Sequence, residues 1–195
     1  MHDRMSLKDS LALLIPLAIV GIAGRLIPHL PNMAPVTAAA LFASAYWGAR
    51  YSIPATLAIM LAGDAIIGFY SLPVMASVYG SFIAIAIMGT VLRGRRRPAP
   101  VLAAAAGSSL LFFLVTNWAV WQFGSMYDHS IHGLIQSYAM GLPFFRNALM
   151  GDLFFSASLF GAADILPRMI QRAGARFAHG SSSASFAKAR TKDIL

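Results

Sequence analysis

The sequence predicts an all-α integral membrane protein, a bundle of six transmembrane helices with both termini in the cytoplasm. Three observations predict it. Of 195 residues, 58% are hydrophobic and only 11% charged, with a mean hydropathy of +0.67, where a soluble domain carries about a quarter charged residues. Several apolar runs reach the roughly 18 to 20 residues that cross a bilayer core. The charges sit in short flanks between those runs. The net charge of +8 is therefore a membrane-orientation signal rather than a nucleic-acid footprint, and no nucleic-acid partner is expected. The length suits one compact bundle.

Each span has its own punctuation. A short cytoplasmic segment, residues 1–9, precedes the first span, "SLALLIPLAIVGIAGRLI", which runs from about Ser10 to Ile27 and ends in the turn-rich "PHLPNMAP". No small-residue cleavage site follows it, so a retained helix is expected, not a signal peptide. The second span, "PVTAAALFASAYWG" from about Pro35 to Gly48, is short for a crossing, which a tilt or a locally thin bilayer would absorb. The third, about Ser52 to Tyr70, contains Asp64; the fourth, about Pro73 to Leu92, stops at "RGRRRPAP". The fifth runs from about Pro100 to Phe123, and the sixth from about Leu142 to Ile170, with Pro143 starting its helix. Residues 10–170 thus form the six-helix transmembrane domain. Residues 171–195 are basic and rich in Ser and Ala, a composition that predicts a disordered cytoplasmic tail.

Arginine placement sets the orientation. With the N-terminus inside, Arg4, Lys8, Arg50, Arg93, Arg95, Arg96, Arg97, Arg168, Arg172 and Arg176 are all cytoplasmic, and the outer side keeps only Arg25 and Arg146 near helix ends.

Polar residues inside such a bundle are the candidate site, because intramembrane ionisable groups usually mark a substrate or ion path. Arg146 enters about one turn below the outer surface, and Asp152 lies roughly 9 Å deeper at 1.5 Å per residue. Six residues rotate them to faces about 120° apart, so each needs a partner elsewhere. Asp64 lies at similar depth in the third span and Asn117 near the outer side of the fifth. The expected site is a cavity open to the outside, lined by Asp64, Asn117, Arg146, Asn147 and Asp152. His29, in "IPHLPN", and Asn32 stand at its mouth. The competing expectation is a structural Arg–Asp or Asp–Asn clasp. Asp164, one turn before Arg168, is expected to form an interfacial ion pair.

Other features lead elsewhere. His129 and His132 have one-turn spacing with Asp128 nearby, but two histidines in a loop make a weak metal signal, and neither they nor His2 is assigned a metal. Trp118, Trp121, Tyr127 and Tyr138 fit an interfacial aromatic belt, with Trp118 retained as a surface for stacking a flat ligand. The small-residue run "TAAALFASA" sets Ala39 and Ala43 on a close-packing face suited to internal packing or a partner helix. Cysteine is absent, which excludes disulfides and thiolate chemistry. With no Walker A loop, HExxH, GxSxG or dinucleotide fingerprint, the chain does not hydrolyse ATP itself, and no cofactor is assigned.

The stretches "RLIPHLPNMAPVTAAALFASAYWG", "GDAIIGFYSLPVMASVYGSF", "SSLLFFLVTNWAVW" and "GLPFFRNALMGDLFF" resemble a family of small uncharacterised membrane proteins described as transport proteins. That family is itself similar to the substrate-binding S components of energy-coupling-factor (ECF) transporters. The resemblance covers roughly residues 10 to 170. It implies a six-helix bundle in a bacterial inner membrane that takes a vitamin-like or cofactor-precursor molecule near its outer face. It also implies an energy-coupling transmembrane subunit and ATPases as partners beside the lipid bilayer. In S components an Ala-xxx-Ala pattern on the first helix meets that partner, whereas here the pattern falls on the second span, at Ala39 and Ala43. The expected function is a non-enzymatic, substrate-specific transport subunit. In it Arg146 holds an anionic or carbonyl group, Asn117 and Asn147 orient the substrate, and Asp64 or Asp152 balances charge. A membrane scaffold and a membrane-embedded enzyme using Asp64 and Asp152 as an acid–base pair are the alternatives.

Overall fold

The computed structural model describes the backbone of residues 7–26 and 32–192, with side chains described for residues 16–26 and 32–166. All regular structure among the described residues is helical. In order, the elements are α1 (Leu7–Leu26), α2 (Val36–Trp47), α3 (Ala49–Ile67), α4 (Leu72–Gly89) with a 3-10 turn at Thr90–Leu92, α5 (Pro98–Phe123) and α6 (Ile131–Lys192). Four segments are long and apolar enough to cross a bilayer: Ala49–Ile67, Leu72–Leu92, Pro98–Phe123 and Ile131–Leu166. The chain is thus a multi-pass helical membrane protein.

Residues 1–159 form one compact unit and residues 160–195 a second. The second unit is helical up to Lys192, with Ile165 and Leu166 exposed. The tail expected to be disordered is thus helical over residues 171–192. Arg168, the expected partner of Asp164, has its side chain outside the described residues, and so do His2 and His29.

In the first unit, α2 is the core. Nine of its twelve residues are buried, and it packs against α1, α3, α4, the 3-10 turn and α5. Small side chains make that possible: Ala38, Ala40 and Ala45 are fully enclosed. A Cβ on Gly89 of α4 would come within 3.0 Å of the Leu41 backbone, so the two helices touch almost main chain to main chain. A helix of this length spans only about 18 Å at 1.5 Å per residue, well under the roughly 30 Å of a hydrocarbon core. Its shortness goes with burial among longer helices.

The connections are tight. Gly48 alone separates α2 from α3, and its φ of 87° is a conformation that side-chain-bearing residues avoid. At the same end lies the basic turn before α5, where Arg96 stands 3.9 Å over the Tyr46 ring, close to the carbonyl end of α2 that favours a cation. Pro98 opens α5 at its first position, where its missing N–H costs nothing.

One boundary departs from expectation. The sixth helix begins at Ile131, not near Leu142, so His132 is helical and Pro143 lies inside the helix. The start is set by Ser130, whose Oγ accepts the Gly133 N–H at 3.1 Å, a standard N-cap bond. The free first-turn N–H groups expected beside Arg146 are therefore three turns away from it.

Candidate functional site

Because α2 is short, its N-terminus stops inside the bundle and leaves space above it. The space is a cavity of about 330 Å³, within the range of small-ligand sites. Its walls come from the end of α1 (Arg25), the α1–α2 connection (Asn32, Ala34), the first turn of α2 (Val36, Thr37) and the last half of α3 (Met60, Ile67). Tyr70 of the next connection, Val78 and Phe82 of α4, Phe112 of α5 and Ala148 and Asp152 of α6 complete it. A second cavity of about 180 Å³ lies against it, sharing Asn32, Phe112 and Ala148 and adding Ser109, Thr116, Asn117 and Phe145.

The first polar group of the cavity is built on Arg25. Its guanidinium pairs with Asp64 through Nη2 and Oδ1, and its Nη1 lies 2.6 Å from the Met60 sulfur. Asp64, only 1% exposed, takes a further hydrogen bond of 2.8 Å from the Tyr79 hydroxyl. Gly63 makes the arrangement possible, since a Cβ there would collide with the Arg25 Nε and Cδ. That Nε is buried with no acceptor among the described residues. Tyr70 stands by the pair, and burial, reinforced by the Asp64 charge and opposed by Arg25, pushes its phenol up to about 12. Its hydroxyl therefore remains a donor at any physiological pH.

The second polar group is Asp152, 4% exposed. Ser109 of α5 donates to its Oδ2 at 2.6 Å, and the Thr37 hydroxyl at the start of α2 donates as well. No cationic side chain among the described residues pairs with it. Two buried aspartates thus differ in kind: Asp64 has a counter-ion, whereas Asp152 has only hydroxyl donors. Between the two polar groups the walls are apolar, and the Phe82 and Phe112 rings lie 5.4 Å apart.

Of the residues expected at the site, Asp152 and Asn32 line the main cavity, and Asp64 stands behind it, holding Arg25. Asn117 lines the second cavity; its Nδ2 is spent on the Phe113 carbonyl at 2.8 Å and its amide packs on Gly141. Arg146 is exposed and Asn147 half-buried, and neither lines either cavity. Helix geometry gives the reason. With Asp152 facing inward, a residue six positions earlier points about 120° away, while Ala148, four positions earlier, shares its face. Trp118 also lies outside both cavities, 42% exposed and edge-on to Phe123, as a membrane-interface residue would be. The arginine of the cavity is Arg25, which sequence reasoning took for an orientation remnant at a helix end. Its pairing with Asp64 was legible only as two opposite charges, one in the first span and one in the third.

Ala39 and Ala43 are 2% exposed and pack with Leu17 against Phe42, Trp47 and Leu159, so the small-residue face serves internal packing. His129 packs on Trp121 at 6.0 Å, and no group of three metal-binding side chains forms among the described residues.

Fold and cavity together define a multi-pass helical membrane protein with a partly open, largely apolar cavity among its helices that carries Arg25 and Asp152. The chain belongs to the family of unknown function DUF6580, whose pattern matches residues 5–174. No curated protein and no solved structure matches it.

Proposed function

We propose that the chain is a substrate-specific transport subunit of a bacterial inner membrane, with six spans and both termini cytoplasmic, that captures a small molecule from the outer side. The carrying observation is the 330 Å³ cavity lined by Arg25 and Asp152 among helices apolar enough to span a bilayer, since ionisable groups in such segments are costly unless they serve a path or a pair. Its position supports the direction. The cavity is bounded by the α1–α2 and α3–α4 connections, at the opposite end of the helices from Gly48 and the Arg93–Arg97 turn. Arginine-rich turns stay inside, so the cavity faces out. In this reading the captured molecule is of vitamin-like size. Any energy-coupling partner docks elsewhere than on Ala39 and Ala43, whose face is buried.

A scaffold reading draws on the Arg25–Asp64–Tyr79 cluster, which is a clasp in its own right. It leaves Asp152 and the space before it without a purpose. The acid–base enzyme reading would need Asp64 free, and its carboxylate is held by Arg25 and Tyr79.

Half-buried Val78 lines the cavity from α4, and Val78→Phe fills it without touching either polar group. Small molecules released from detergent-purified wild type and from Val78→Phe are compared by mass spectrometry. The wild type should release a compound that the variant lacks. Identical profiles from two equally stable proteins would remove the cavity from the function.

A further inference from the structure

Resting on the capture reading, we propose that the molecule taken is a small organic cation, whose positive group sits at Asp152. A count of charge around the cavity leads there. Arg25 and Asp64 cancel as an ion pair. That leaves the carboxylate of Asp152, faced from α2 by Thr37 and from α5 by Ser109. Hydroxyl donors orient a carboxylate but carry no charge. The N-terminus of α2 contributes roughly half a positive charge, so the chamber is net negative among the described residues whenever Asp152 is ionised, the form that a bound cation favours.

An ionised carboxylate has about four acceptor positions, and two are taken, so room remains for an ammonium or a protonated ring nitrogen. The apolar wall suits the same class of ligand. Phe82 and Phe112 both line the cavity, and an aromatic face attracts a cation within about 6 Å of its centre. An anionic ligand would meet the opposite situation, because the cavity's guanidinium is already committed to Asp64 and its carboxylate is not. Burying one uncompensated charge is expensive. A cation arriving from water completes the pair, and this makes the charged form of the ligand the preferred one.

Three probes of nearly equal shape separate the possibilities: benzylammonium, benzyl alcohol and benzoate, each added to the full-length protein in detergent at neutral pH. Benzylammonium in tenfold excess over its Kd should raise Tm by about 3 °C, with smaller shifts for the alcohol and least for benzoate. Asp152→Asn should abolish the preference, so that the three probes act alike. If that variant does not fold, the order of the probes on the wild type still decides. A benzoate shift equal to or larger than that of benzylammonium overturns the cation assignment. Should Val78→Phe remove such a benzoate shift, the cavity reading survives while the ligand class falls. Retention of the full benzylammonium shift in Asp152→Asn overturns the role of Asp152. Absence of any shift with all three probes overturns the assignment too, and Val78→Phe mass spectrometry then judges the capture reading separately.

Discussion

Asp64 is enclosed to 1% exposure, and an isolated carboxylate at that depth would carry its desolvation cost without return. Arg25 and Tyr79 supply that return. Removing one member of a buried pair costs about 3–5 kcal/mol, because the other charge is stranded, whereas replacing both with apolar groups is often neutral. Asp64→Leu should therefore destabilise strongly, and Arg25→Met/Asp64→Leu should recover most of the loss, as read from thermal unfolding in detergent. If the double variant is no better than the single, the pair does not act as a clasp. Gly63→Ala offers an independent check. The added methyl meets the middle of the Arg25 side chain rather than its mobile tip, so a loss of about 1–3 kcal/mol is expected from overpacking. A neutral result would mean that Arg25 has another place to go.

At the scale of the element, α2 and α6 carry the lesson. The α2–α4 contact leaves no space at Gly89, where a side chain would run into the backbone at Leu41 and the Ser44 Cβ at 2.8 Å. Gly89→Leu should abolish folding or drive α4 from α2, seen as loss of the monodisperse protein peak on size exclusion, while Gly80→Leu, with open space around it, should be tolerated. The bounds of α2 to α5 were legible to within about three residues because Pro35, Gly48, Pro73 and the prolines that open α5 punctuate them with strong backbone restrictions. The start of α6 was not, since Pro143 is a stronger breaker on paper than Ser130 is a cap, and a proline within a membrane helix is tolerated when neighbours satisfy the freed carbonyl. The site was half legible. Asp152 and Asn117 were found as polar residues in apolar runs and Asn32 as a polar residue in the turn at the mouth, but the rotation between Arg146 and Asp152 should have excluded one of them from a common wall. Arg25 escaped because a charge at a helix end has a cheap explanation, and only tertiary packing reveals that it turns inward.

For the whole molecule, topology is the first quantity to establish. The cysteine-free chain accepts single reporters, and the Arg93–Arg97 turn should be inside while the α5–α6 connection is outside. With an impermeant maleimide on spheroplasts, Ser130→Cys should label and Gly94→Cys should not; the reverse pattern would invert the protein and turn its cavity toward the cytoplasm. The short α2 has one more consequence, for biogenesis. A segment of twelve residues is too brief to be held by lipid when it first leaves the ribosome, since insertion needs about 20 apolar residues. Apart from α1, everything it packs against, α3, α4, the 3-10 turn and α5, is made after it. The heart of the bundle is thus the part that the insertion machinery must wait for, held at the channel or the membrane surface until later helices arrive to enclose it.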